Sequence, residues 1–197
     1  MLSYRIPAAP GWAEIEVKRS RFIAYAQHCK GSAAAKRFIQ QLKDKYPDAR
    51  HHCHAFIGDA PNNSNFYGFS DDGEPSGTAG MPIFTHLKHS GLGEVTIVVV
   101  RYFGGTKLGT GGLARAYGDA AKSVLLKLKT QEFIAMEELN LKMSFALEAE
   151  VRKKVMAIGG RIKSVEYNQL VNLLIEKPKQ ETLNLPYSVE LIPESTI

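Results

Sequence analysis

Two short segments in the middle of the chain carry residue types that could bind a phosphate or a metal ion. Residues 104–112 read GGTKLGTGG, which is five glycines around one lysine. Residues 70–80 read SDDGEPSGTAG, with three carboxylates next to the hydroxyls of Ser76 and Thr78. Because glycine loses the most backbone freedom on folding, a run this rich in glycine suggests that the backbone must approach something closely.

The glycine-rich loop follows a predicted strand and precedes a predicted helix. A helix N-terminus presents unpaired N–H groups and a partial positive charge, both of which attract anions. The spacing is neither that of a P-loop nor that of a dinucleotide fingerprint. The alternative is that the glycines only make tight turns and allow close helix packing. We predict a phosphate or ligand site made by Arg101, Gly104, Gly105, Lys107, Gly109, Gly111, Gly112 and Arg115.

The acidic loop has two interpretations. Its polar residues are Asp71, Asp72, Glu74, Ser76 and Thr78. Carboxylates at this spacing could hold Mg²⁺ with waters and a phosphate. They could equally act as helix caps and turn formers. We favour a structural, salt-bridged loop, and we predict that it meets the glycine-rich loop through a two-point pair from Arg101 or Arg115.

A run of possible metal ligands, His51-His52-Cys53-His54, lies on a predicted strand. Alternation places His52 and His54 on one face and His51 and Cys53 on the other, so adjacent ligands do not converge. We expect no metal site here. The other cysteine, Cys29, forms no zinc motif with Cys53 and no disulfide framework, so we expect a reducing, cytoplasmic setting.

The elements that position these segments follow from hydrophobic patterning. Strands are predicted at 14–17 and 22–27, joined by a basic turn in which Lys18 and Arg21 provide basic surface. Ser32 is predicted to cap a helix that ends at Pro47. A strand at 53–57, a long loop over 58–80 and a short helix from Pro82 follow. Residues 94–100 predict a central strand covered on both faces, and residues 113–128 a long helix.

A second unit is predicted after a polar stretch at 129–132. Residues 139–145 alternate between apolar and polar, as in a strand with one buried face. A helix and strands at 161–167, 170–176 and 187–192 complete a βαββ pattern close to a ferredoxin-like unit. Only seven residues separate Pro178 from Pro186, too few for a full second helix. We therefore predict domains at 1–132 and 133–197.

Charge is distributed unevenly along the chain. The net charge is +5; residues 1–135 hold 17 Lys and Arg against 11 Asp and Glu, and residues 136–197 hold 8 against 9. A basic first domain suggests contact with phosphate or an acidic surface, although a solvated surface is the plainer alternative. Near the glycine-rich loop, Tyr102 and Phe103 could stack on bases.

The amino terminus has no apolar run, so we expect neither a signal peptide nor membrane attachment.

The motifs SDDGEPSGTAG and VVVRYFGGTKLGTGGLARAYG, with VKRSRFIAYA and DARHHCHAF before them, resemble the signature of the YigZ/IMPACT family. The resemblance implies an α+β protein of two domains. The first would have the fold shared by the second domain of the ribosomal protein S-five, the fourth domain of elongation factor G and the GHMP kinases. The second would be ferredoxin-like, related to the last domain of elongation factor G, with a reduced second helix.

The resemblance also points to translation. Eukaryotic members of the family modulate a starvation-sensing kinase pathway at translation initiation, but through an additional domain that has no counterpart in this sequence. We expect a non-enzymatic cytoplasmic module that contacts RNA, the ribosome or a translation factor, and needs no cofactor. The alternative is a Mg²⁺-dependent enzyme or binder acting on a small phosphorylated or nucleotide ligand at the glycine-rich loop. A purely structural adaptor is the third hypothesis.

Overall fold

A computed structural model describes residues 3–192, in which helices and sheets are mixed. The chain divides into two compact units, one of residues 4–133 and one that begins at Ile134 and also takes in Ser3. Among the residues described, no helix is both long and apolar enough to cross a membrane.

The first unit is built on a five-stranded antiparallel sheet in the order β2-β3-β6-β4-β5, with β1 and β7 paired separately. The strands are β1 (Ser3–Pro7), β2 (Gly11–Val17), β3 (Ser20–His28), β4 (His51–Ile57), β5 (Tyr67–Ser70), β6 (Val95–Tyr102) and β7 (Thr130–Ile134), and the helices are α1 (Gly31–Lys45), α2 (Gly80–His89) and α3 (Gly109–Lys127).

β6 is the central strand, as its unbroken β-branched run predicts. Val98 packs with Phe38 and Leu42 of α1 on one face of the sheet. Ile97 and Val99 join the larger core on the other face, which α2 and α3 cover. Every side chain from Val95 to Arg101 is buried, because both faces are covered. Alternation therefore places Arg101 on the α2 and α3 side, at the end of the strand.

Several local predictions need correction. Ser32 is not the cap of α1, because the helix begins at Gly31 and Lys30 precedes it without a side-chain cap. Residues 58–80 are not one continuous loop, since they hold a short 3-10 helix (Ser64–Phe66) and the edge strand β5. Glu94 lies before β6 with a positive φ of 48° rather than within the strand. The strands β1 and β7 have too few alternating positions to be recognised by pattern.

The second unit is a four-stranded antiparallel sheet in the order β11-β8-β10-β9. Its elements are β8 (Met136–Met143), α4 (Phe145–Ala157), β9 (Arg161–Tyr167), β10 (Val171–Pro178) and β11 (Glu190–Ile192). Val151 and Val155 of α4 pack on Leu141 and Leu173 of the sheet. Residues 179–189 contain no helix, as their short spacing predicts.

Candidate functional site: an arginine between two loops

The acidic and glycine-rich loops meet at the end of β6. Arg101 Nη1 donates a 2.6 Å hydrogen bond to Glu74 Oε1, and the Tyr117 hydroxyl donates to the same oxygen over 2.8 Å. The predicted meeting of the two loops through Arg101 is confirmed. The pair engages one carboxylate oxygen, so the expected two-point geometry is wrong. Arg115 is exposed on α3 and makes no ion pair among the described residues.

Arg101 is an arginine held almost entirely out of water. It is 7% exposed, and its guanidinium carbon lies 5.5 Å from the Phe22 ring centroid and 5.7 Å from that of Phe103. Its Nε–H is buried with no partner among the described residues. An unpaired buried donor costs free energy, so an acceptor placed at the Nε–H of Arg101 would stabilise the site.

Asp71 acts as the cap of α2. Its carboxylate accepts hydrogen bonds from the backbone N–H groups of Gly77 (2.8 Å), Ala79 (2.9 Å) and Gly80 (2.8 Å). Partial burial raises the pKa of Asp71, but these three bonds outweigh it and hold the pKa below its ordinary value. Asp71 therefore has a structural role, in agreement with the favoured interpretation of the acidic loop.

Asp72 ties the loop to two neighbouring elements. It accepts a 2.8 Å bond from Lys43 Nζ of α1 and a 2.7 Å bond from the His52 backbone N–H of β4. Burial raises the pKa of Asp72, but the hydrogen bonds from Lys43 and His52 lower it by more, so the net shift is downward. Since Glu74 is paired as well, all three carboxylates are engaged by protein donors.

The two hydroxyls of the acidic loop differ. Thr78 is buried and donates to the Pro75 carbonyl at 2.7 Å, so it stabilises the turn. Ser76 is exposed at the tip of the loop.

The five glycines of the other loop serve different purposes. A Cβ at Gly104 would lie 2.0 Å from the carbonyl carbon of Arg19, so only glycine fits there. Gly105 and Gly109 have positive φ values of 86° and 73°. A Cβ at Gly112 would be tight against Leu108, at 3.2 Å, whereas at Gly111 it would meet nothing within 4 Å.

The basic turn between β2 and β3 lies against this loop. Gly104 N–H donates to Ser20 Oγ at 3.1 Å, and Lys18 and Arg19 both have positive φ, as in a type I′ hairpin. Lys18 is exposed in this turn. Arg21 instead forms a two-point pair with Glu14, with distances of 2.8 and 3.2 Å.

Two cavities flank Arg101, and Phe103 lines both. One, of about 410 Å³, is also lined by Asp48, Arg50, His51 and Tyr102. The other, of about 330 Å³, is lined by Glu74, Pro75, Lys107 and Thr110 among others. Lys107 is exposed, and Phe103 is 59% exposed. The site thus combines cations with an aromatic ring open to solvent.

The histidine run does not converge. Cys53 belongs to the larger core and its Sγ donates to the Asp71 carbonyl at 2.9 Å, while His51 Nδ1 lies 2.9 Å from the Asp72 carbonyl oxygen. Burial lowers the pKa of His52 and of His54, and raises that of the Cys53 thiol. Within residues 3–192, no three His, Cys, Asp or Glu side chains are placed to hold a metal ion.

Two residues of the site are not among those predicted from the sequence. Tyr117 lies among the buried apolar residues of α3, yet its hydroxyl donates to Glu74. A tyrosine on an otherwise aliphatic stripe is the signal that could have revealed this, since its hydroxyl needs a partner when buried. The other is Arg50, which lies between α1 and β4 and lines the larger cavity.

Comparison with known proteins identifies the family of this chain. The Impact N-terminal domain model matches residues 18–125. The chain is 43% identical over 178 residues to the IMPACT family member YigZ of Escherichia coli, covering 90% of this chain and 87% of that protein. It is 32% identical over 180 residues to the IMPACT family member YvyE of Bacillus subtilis, covering 91% and 82%. A crystal structure of a hypothetical protein, 43% identical, superimposes with a TM-score of 0.71 over 90% of this chain and 86% of that one. This protein belongs to the IMPACT family.

Proposed function

We propose that the first unit binds single-stranded RNA as part of a module that acts near translation, on the ribosome or beside a translation factor. The observation that supports this most directly is Phe103, whose exposed ring lies between two cavities that also contain Arg50, Arg101 and Lys107. A base can stack on such a ring while the cations contact the backbone phosphates.

The charges of the acidic loop do not oppose this binding as strongly as the sequence suggests. Asp71 is held by backbone N–H groups, Asp72 by Lys43 and Glu74 by Arg101. Their negative charge is therefore largely compensated within the protein. The surface beside Phe103 remains basic, in keeping with the net positive charge of the first 135 residues.

The same pairing weighs against the Mg²⁺-dependent alternative. Hard cations take several oxygen ligands, and the three carboxylates would have to give up protein donors to supply them. The smaller cavity could still take a phosphorylated small molecule. A thermal-shift panel of nucleotides, with and without Mg²⁺, tests that alternative: a strong shift that requires Mg²⁺ would favour it over RNA.

The test of RNA binding is fluorescence anisotropy with labelled single-stranded RNA at several salt concentrations. Affinity should fall steeply with salt as counterions are released. Phe103→Ala should weaken binding about 5- to 150-fold, the range that a lost stacking interaction predicts. Phe69→Ala is the matched control, because Phe69 is also an exposed phenylalanine, 48% exposed, but lies on the edge strand β5. Equal loss from both variants, or no binding at all, would refute the proposal.

A further inference from the structure

The smaller cavity lies at the amino end of α3, where the residue before the helix provides no side-chain cap. The helix is 19 residues long, and Leu108, which precedes it, makes no side-chain cap hydrogen bond. The first four N–H groups of a helix have no acceptor within it, and the first four residues here are 109–112. Gly109 and Thr110 both line the cavity.

A second feature of the same cavity indicates a missing acceptor. Arg101 lines it, is only 7% exposed, and has an Nε–H without a partner among the described residues. Its Nη1 is already used by Glu74. Lys107 adds an exposed cation that forms no ion pair within residues 3–192. An anion in the cavity would accept a hydrogen bond from the Arg101 Nε–H and pair with the Lys107 ammonium group.

Gly111 does not itself line the cavity, but it directly follows Thr110, which does, in the first turn of α3. Its φ is not positive, and a Cβ there would meet nothing within 4 Å. Glycine in a helix is less stable than alanine, so the fold alone gives no reason for it at this position. A ligand that approaches the backbone closely gives such a reason.

We propose that this cavity receives a terminal phosphomonoester of the bound RNA, an inference that rests on the RNA-binding function proposed above. Arg101 and Lys107 bring two positive charges and the helix end about half a charge more, against one carboxylate from Glu74. The net excess of about 1.5 matches a phosphomonoester, which carries about −1.5 to −2 at pH 7, better than a singly charged phosphodiester. Pro75, Phe103 and Leu113 line the same cavity.

The experiment compares one RNA sequence in three forms, 5′-phosphorylated, 3′-phosphorylated and hydroxyl-ended, by competition anisotropy with the full chain. One phosphorylated form should bind at least about tenfold more tightly than the hydroxyl-ended RNA, as expected for charge-assisted hydrogen bonds. A nucleoside monophosphate is added as a separate competitor. If it competes as well as the phosphorylated RNA does, the phosphate belongs to a small molecule and the assignment to an RNA end is overturned.

Two variants separate this inference from RNA binding itself. Gly111→Ala, which adds a methyl group beside Thr110 in the first turn of α3, should weaken the preference for the phosphorylated end and leave the protein at least as stable. Lys122→Ala removes an exposed cation further along α3 and should change neither the end preference nor the stability. Equal binding of all three RNA forms by the wild type overturns end recognition while RNA binding stands. Absence of binding to any form overturns both.

Discussion

Arg101 donates a 2.6 Å hydrogen bond to Glu74 where both side chains are less than 10% exposed. The pair joins the acidic loop to the end of the central strand β6, and Tyr117 of α3 completes it. Two hydrogen bonds to one carboxylate oxygen thus join three elements around the candidate site. The predictions below test what this arrangement does for stability and which parts of it serve the ligand.

Breaking the buried pair from one side should be costly. Glu74→Gln leaves the Arg101 charge without its counter-ion in a buried place, so we expect a loss of about 3–5 kcal/mol in the free energy of unfolding. Urea denaturation followed by circular dichroism measures it. The control is Glu14→Gln, which breaks the exposed pair with Arg21 and should cost far less, because solvent screens that pair. Equal losses in the free energy of unfolding would show that burial does not increase the contribution of the Arg101 pair to stability.

Two glycines of the same loop should respond in opposite directions. Gly104→Ala places a Cβ 2.0 Å from the Arg19 backbone and should destabilise the fold by about 1–3 kcal/mol or more. Gly111→Ala meets no neighbour and should stabilise it by roughly 0.5–1 kcal/mol. Thermal melts of both variants test the contrast. Destabilisation by Gly111→Ala would mean that the fold itself requires this glycine.

Removing the cap of α2 should weaken the acidic loop. Asp71→Ala deprives three backbone N–H groups of their acceptor, and losing a cap of this kind costs about 0.5–2 kcal/mol. Because the pKa of Asp71 is lowered by folding, its contribution is present above the unfolded pKa and is lost as pH falls through the folded one. Ser76→Ala, in the same loop but exposed, is the control and should leave the melting temperature unchanged. The difference between Asp71→Ala and wild type should shrink at strongly acidic pH.

Buried histidines should make the protein less stable as the solution is acidified. Burial lowers the pKa of His52 and His54 in the folded state, so the unfolded chain binds more protons below its own histidine pKa of about 6.5. Stability should therefore fall as pH drops from 7.5 towards 5. In His54→Gln the dependence should be shallower than in wild type, as measured by urea midpoints at each pH. An unchanged slope would show that His54 is not held neutral by folding.

Part of the site could be predicted from local sequence. The β-branched run before Arg101 is a pattern typical of a buried central strand, because both faces must be apolar when helices cover both. The next segment, rich in glycine and followed by an apolar stripe, predicts a loop that leads into a helix. The meeting of the two loops was also predictable, since opposite charges were concentrated in two short segments.

Other features depended on contacts between residues far apart in the chain. Sequence spacing cannot show that Gly104 packs on the backbone of Arg19, because that contact joins segments 85 positions apart and arises only when the hairpin folds onto the loop. Nor can it show that Tyr117 turns its hydroxyl to Glu74. Residue types and local patterns determined most of the strands, the α-helices and the charged loops, but not β1, β5 or β7. Only tertiary packing decided which donors remained without partners, because a hydrogen bond depends on position in space.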